Sequence, residues 1–419
     1  MPRYNHAGLL VCAFVACVAL DKASAQELTF DEAQRLAETD QPQLAARRSA
    51  TAAADEAAVA ARQLPDPTLK LGLLNVPIEG ANALSLDSEA MTMAMVGVIQ
   101  KFPRAAKREL RGEVLHLSGR RSAQELLFLR LQMRRDAALA WLDAWNATRS
   151  LELIGRQQRE MEIEIEARAI ALKNNRASTM EVARARVALE LVRDRTHAQQ
   201  GELQAARARL ARWIGARASA PLPELFPELP APPDADELVQ TLESHPLITT
   251  ADADVHIAEA QARLAHQSVQ PDWSMELAYG RRGQQFGDMV TLQFQIDLPF
   301  LQERRQDRSI ASTLASAQQA RELREDVLRE LRASAKQLRA RWESAEAQAV
   351  AFEQRVLPES RNVLQAATVS YRSGKAELAD VLSARRELLD LELVALMRRV
   401  EAARLVVELD YFGMRGGRS

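Results

Sequence analysis

The chain contains the same text twice. Asn175-Arg-Ala-Ser-Thr-Met-Glu-Val-Ala-Arg-Ala-Arg186 aligns with Gly374-Lys-Ala-Glu-Leu-Ala-Asp-Val-Leu-Ser-Ala-Arg385 at an offset of 199. Trp213-Ile-Gly215 aligns with Tyr411-Phe-Gly413 at 198, and Phe102-Pro103 with Leu298-Pro299 at 196. Pro42 pairs with Pro246, and Pro65-Asp66 with Pro271-Asp272, at offsets of 204 and 206. Spacing this constant marks a duplicated unit. Each copy holds one short pair of alternating strands between long helices, too few strands to form a closed sheet alone.

Of 419 residues, 27% are charged and only 5% aromatic, and Ala, Leu, Arg and Glu dominate. That composition suits long helices rather than a compact α/β enzyme. Residues 1–25 read as a signal peptide: Arg3, an apolar run from Leu9 to Leu20, and Ala23-Ser24-Ala25 before Gln26. A rival reading makes Cys17 a lipidated residue, although Phe14 suits that motif poorly. Both cysteines, Cys12 and Cys17, fall in this leader, so cleavage after Ala25 leaves no thiol for a disulfide or a thiolate metal site. A net charge of −2 gives no electrostatic case for nucleic acid. Past residue 25 no run approaches the roughly 18 apolar residues of a spanning helix. A membrane crossing would therefore have to be a β-barrel.

Residues 26–215 form the first repeat. Residues 29–62 read as a helix, with Thr29 and Glu32 as a capping box and Pro65 and Pro67 beyond its end. Strands are expected at about 68–75 and 91–100. A helix of about 68 residues then runs from Ala105, some 100 Å long at 1.5 Å per residue, and a return helix follows from Ser178 to Trp213. Residues 216–236 are a proline-rich linker. The second repeat, 237–413, has a helix near 236–270 and strands at about 272–280 and 289–298. A long helix follows from Leu301 to Arg372, with a kink at Pro358. The last helix carries Leu389, Leu393, Leu396, Val400, Ala403 and Val407 as one seam. Residues 414–419 are a tail.

The second strand pair alternates clearly. Trp273, Met275, Leu277 and Tyr279, with Val290, Leu292, Phe294 and Ile296, make a greasy face expected to meet lipid. Ser274, Glu276, Thr291, Gln293 and Gln295 lie on the other side. Two hairpins supply four strands, whereas the smallest spanning barrels have about eight. An open edge in lipid leaves backbone groups unpaired at several kcal/mol each. Copies around an axis would close the sheet, and their helices would form a collinear tube.

These features resemble the outer-membrane factor (TolC-like) family of tripartite efflux systems. Its tip motif is matched by Tyr371-x-x-Gly374-x-x-x-Leu378-x-Asp380-Val-Leu382. Leu64-Pro-Asp-Pro67, Asn75-Val-Pro77, Met91-Thr-Met93, Gln100-Lys-Phe-Pro103 and Lys107-Arg108 look like its heavy-metal-cation (CzcC- and CusC-like) branch. Where that branch usually carries Gly before Lys-Arg, this chain has Ala106. The resemblance implies a homotrimer with a twelve-stranded outer-membrane β-barrel continuous with a long periplasmic α-helical barrel. It also implies a periplasmic adaptor (membrane fusion protein) and an inner-membrane RND transporter driven by protons.

The candidate functional residues follow from that placement. Asp380 and Tyr371 are the pore gate, since three aspartates around a narrow opening would attract cations. The family's second aspartate falls on Ser383. Gly374 and Asn175 supply left-handed turns. Asn174, Asn175, Arg176, Ala177 and Ser178, with Ser373, Gly374, Lys375 and Ala376, form the adaptor-docking tips. Met91, Met93 and Met95 are placed on one strand face towards lipid. The histidines are scattered, so no metal site and no cofactor are assigned, and no catalytic motif is present. The leading expectation is an exit duct for heavy-metal cations. Drug efflux or type I protein secretion through the same fold, and a soluble periplasmic coiled-coil scaffold, are the alternatives.

Overall fold

The computed structural model describes residues 27–39 and 41–413. The leader with Cys12 and Cys17, and the tail 414–419, lie outside the described residues. The first repeat runs α1 (Phe30–Leu36), α2 (Pro42–Arg62), β1 (Thr68–Leu74), β2 (Met93–Phe102), α3 (Ala105–Lys173) and α4 (Thr179–Ile214). The second runs α5 (Ala235–Thr241), α6 (Pro246–His266), β3 (Trp273–Arg282), β4 (Met289–Ile296), α7 (Gln306–Ala351), α8 (Leu357–Arg372) and α9 (Leu378–Gly413). Among the described residues no helix is long and apolar enough to cross a membrane.

The opening helix of each repeat is broken in two, where the sequence suggested one. Proline is the reason in both. Pro42 and Pro246 lack an N–H and push the preceding residue to extended backbone, seen at Gln41 (ψ 119°) and His245 (ψ 136°). Each preceding residue then clamps the far end of its own repeat. Gln41 Nε2 donates to the Trp213 carbonyl at 2.8 Å. His245 packs edge-on against Tyr411, with ring centroids 5.2 Å apart, and lies beside Phe412.

α3 contains 69 residues and spans about 100 Å. A helix that long needs partners along its whole length. It packs against α2, α4, α6 and α9. The main core lies midway along it, where Trp141 and Trp145 meet Phe30 of α1, Leu210 of α4 and Val400, Ala403 and Val407 of α9. The indole N–H of Trp141 donates to the Leu28 carbonyl and that of Trp145 to the Pro223 carbonyl, each at 2.9 Å. Leu28 N–H in turn donates to the Pro221 carbonyl, so the proline-rich segment straps the bundle. A second core joins Leu238, Leu242 and Ile248 to Leu328, Leu331 and Leu409.

α7 starts later than expected, while the helical path reaches Arg372 through α8 as expected, with its interruption beside Pro358. α7 begins at Gln306, because Leu301 is left-handed (φ 60°) and a tight turn occupies Gln302–Arg304. It ends at Ala351, where one π-type turn over Phe352–Val356 leads into α8. Pro358, in the first turn of α8, cannot donate back to the preceding turn, and the widened turn absorbs that defect.

His245 is completely buried. Burial pushes its imidazole down from 6.5 to about 4, and the Tyr411 backbone offsets only part of that. Between those values the unfolded chain holds a proton that the folded chain refuses. Folding stability therefore falls as pH drops from about 6.5 to about 4, by ~3 kcal/mol in all. His245 Nδ1 accepts from the Leu247 N–H at 3.2 Å, and His245→Asn keeps such an acceptor but removes the titration. Thermal unfolding of the detergent-solubilised chain across this range should show the loss in the native sequence and not in the variant.

Candidate channel wall and helical tips

The four strands form one antiparallel sheet in the order β1-β2-β3-β4. Pairing of β2 with β3 joins the two repeats, with Val96 opposite Tyr279 and Val98 opposite Leu277. From this register one face carries Leu69, Leu71 and Leu73 of β1, Ala94, Val96 and Val98 of β2, and all eight apolar residues noted on β3 and β4. Among these, Leu69, Leu71, Val290 and Phe294 are the most exposed, at 60% or more. The opposite face holds Thr68, Lys70, Ser274, Glu276, Thr291, Gln293 and Gln295. There Lys70 Nζ reaches Glu276 Oε1 at 2.8 Å, passing over Gly97 of β2.

The methionines are not where the sequence placed them. Met93 and Met95 pair with Arg282 and Gly280, which puts them on the polar face. Both are 8% exposed. Met93 Sδ sits 2.6 Å from where a Cβ on Gly280 would lie, so that glycine makes room for the thioether. Met91 precedes the strand, and its carbonyl accepts from Asn75 Nδ2 at 3.2 Å. Both parities of β2 are apolar, so alternation within it could not choose a face. Pairing with β3 does.

Where the sheet meets the helices, a polar knot ties one repeat to the other. Lys107, in the first turn of α3, donates to Asp272 Oδ2 at 2.9 Å and to the Gln270 carbonyl at 2.7 Å. Arg104 N–H donates to Asp272 Oδ1 at 3.1 Å, and its side chain to the Pro271 carbonyl at 3.2 Å. Phe102 stacks on Trp273 at 4.2 Å. Burial pushes the Asp272 carboxyl up. The Lys107 hydrogen bond and charge, with the Arg104 N–H, outweigh that and hold it below the usual carboxylate range.

At the opposite end the repeated text becomes legible as geometry. α3 and α8 both finish with a left-handed residue, Asn175 (φ 56°) and Gly374 (φ 69°). The next amide folds back over the turn: Arg176 N–H donates to the Ala171 carbonyl, and Lys375 N–H to the Ser370 carbonyl. The return helices are capped alike. Ser178 and Glu181 bond reciprocally, at 3.2 Å and 2.8 Å. In the second repeat Asp380 Oδ2 accepts from Glu377 N–H at 3.0 Å. Asp380 thus caps α9 while remaining exposed. Tyr371 is 44% exposed, and Ser373 Oγ donates to the Ser370 carbonyl.

Above the second tip, α9 is riveted to α3 by polar contacts that the sequence reading missed. Gln157 donates to Asp390 at 3.2 Å, Arg385 pairs with Glu160 at 2.7 Å, and the buried Glu164 takes Arg168 at 2.7 Å and Arg386 at 3.8 Å. α8 is held to α9 by Arg361–Glu392 at 3.7 Å, and the π-type turn by Arg399–Glu353 at 2.7 Å. Among the described residues no group of His, Cys, Asp or Glu is placed to hold a metal ion.

Residues 238–409 match the outer membrane efflux protein family. No curated protein matches the chain by sequence. Among solved structures, CusC superposes with a TM-score of 0.74 at 16% identity, covering 93% of this chain and 92% of that one. VceC of Vibrio cholerae gives 0.74 at 18%, covering 94% and 97%. The open-state MtrE outer membrane channel of Neisseria gonorrhoeae gives 0.75 at 16%, covering 93% and 89%. The fold is that of an outer-membrane factor. The likeness to these channels runs the length of both repeats, while the family match lies within the second.

Asp272→Ala tests the polar knot. It strips a nearly buried Lys107 of its carboxylate and should cost about 2–4 kcal/mol. Thermal unfolding in detergent micelles should show the drop, and an unchanged midpoint would exclude the knot as a stabilising contact.

Proposed function

We propose that three copies of the chain assemble into the exit duct of a tripartite efflux pump that discharges heavy-metal cations. The observation that carries the assembly is the sheet: four strands, a face apolar but for Gln100 and Arg281, and free edges on β1 and β4. Three such sheets joined edge to edge make a twelve-stranded barrel in which every strand has two neighbours. Trp273, Met275, Leu277, Tyr279, Val290, Leu292, Phe294 and Ile296 then face lipid, while Lys70, Glu276 and the glutamines face the lumen. The strands, seven to ten residues long, approach the roughly 9–11 residues of a tilted spanning strand. The repeats, 26–215 and 237–413, each contribute one hairpin and one long helical pair, strapped by 216–236.

The tips formed by Asn174, Asn175, Arg176, Ala177 and Ser178 and by Ser373, Gly374, Lys375 and Ala376 present the docking surface to a periplasmic adaptor. That adaptor links the duct to a proton-driven RND transporter in the inner membrane. Asp380 and Tyr371 line the gate. Because the Asp380 carboxylate also caps α9, its charge stays fixed at the mouth rather than swinging freely. The metal cargo is supported by the branch-like motifs around residues 64–108 and by the likeness to CusC.

Asp380→Asn retains a capping acceptor and removes three charges from the mouth. In planar bilayers the channel should lose cation preference, and Tyr371→Phe should raise the open fraction. Unchanged selectivity and opening in both variants would remove these residues from the gate. Deleting the gene should lower tolerance to heavy-metal salts more than to organic dyes and detergents. The reverse order would make the duct a drug exporter.

A further inference from the structure

The chain closes one hairpin-to-hairpin junction by itself and leaves the other half-made at its two ends. At the closed junction, the Lys107 ammonium and the Arg104 backbone N–H hold Asp272 just before β3, and Phe102 covers Trp273. The duplication places matching groups at the free edges. Asp66 stands before β1 as Asp272 stands before β3, each following a proline. Arg304, Arg305 and Arg308 stand at the foot of α7, as Lys107 and Arg108 stand at the foot of α3. Leu298, 68% exposed, takes the place of Phe102.

The two halves of this second junction lie on opposite edges of the sheet, so they cannot meet within one copy. Among the described residues, neither the Asp66 carboxylate nor the guanidinium groups of Arg304, Arg305 and Arg308 make an ion pair or side-chain hydrogen bond. The extra turn at Gln302–Arg304, absent from the first repeat, brings these arginines to the base of the helix. Glu303 and Asp307 interleave with them, so the segment presents both signs rather than a uniformly basic patch. That pattern suits one discrete carboxylate partner better than a lipid surface.

We propose that Arg304 and Arg305 of one copy bind Asp66 of the next, rebuilding between chains the knot that Lys107 and Asp272 make within one. The inference rests on the trimeric duct and names the contact that fixes its register. When β4 of one copy pairs antiparallel with β1 of the next, the end of β4 falls beside the start of β1. This is the same relation that the end of β2 has to the start of β3. The barrel would then carry the same lock at all six hairpin junctions, three within chains and three between them.

The test uses the full chain exported to a bacterial outer membrane and extracted in mild detergent. Asp66→Arg alone, and Arg304→Asp with Arg305→Asp, should each make the oligomer fall apart at lower temperature on seminative gels. The combined charge swap should restore its heat resistance. In a second arm, Asp66→Cys with Arg305→Cys should give a covalent ladder with a short bismaleimide. Silent single variants and no ladder, from a native protein that still runs as an oligomer, would overturn the lock and leave the duct standing. Loss of heat resistance in the arginine variants alone, unrescued by the swap, would overturn it in favour of an anionic lipid headgroup. A native protein that never runs as an oligomer would sink the duct reading and the lock with it.

Discussion

The structure depends on a backbone constraint: a strand edge cannot stay open in hydrocarbon. Each unpaired amide or carbonyl there costs several kcal/mol, because lipid offers no hydrogen bond in exchange. A four-stranded sheet with a largely apolar face and two free edges is therefore an unfinished object. The rest of the chain reads as provision for finishing it. β2 and β3 pair across the repeats, so duplication has already solved the edge problem once inside the chain. The polar knot around Asp272 sits at that internal seam, and α3 extends about 100 Å from it.

Duplication also explains what the helical tips have in common and where they part. Both tips use a left-handed residue, a back-folded amide and a capping acid three residues past the N-cap. In the first repeat that acid is Glu181 and the left-handed residue is Asn175. In the second they are Asp380 and Gly374. The repeats diverge further up. α3 is continuous, whereas its counterpart is split by the π-type turn and Pro358 into α7 and α8. The unbroken helix is riveted to α9 through Gln157, Glu160 and Glu164, and the broken pair through Arg361–Glu392 and Arg399–Glu353.

Much of this was legible in the sequence because it depends on periodicity. The alternation of β3 and β4, the length of α3, the seam on α9 and the chain duplication all follow from residue spacing. What escaped depended on pairing between distant segments. β2 is apolar on both parities, and only its register with β3 puts Met93 and Met95 on the polar face rather than towards lipid. The split of each opening helix was signalled by Pro42 and Pro246, yet the surrounding helical pattern concealed it. Pro271-Asp272 was visible as a repeat landmark, but nothing local revealed that Asp272 receives Lys107 from 165 residues away. The Glu164 and Asp390 contacts were hidden for the same reason: each carboxylate looks like an ordinary solvated helix residue until its partner helix is in place.

The central claim is that one chain is an incomplete barrel and becomes a channel only as a ring of copies. Native mass measurement of the protein extracted from the outer membrane, with the detergent contribution subtracted, tests it most directly. The account requires a mass of three chains, collapsing to one on boiling. A folded, stable species of one chain in the same extract would contradict it.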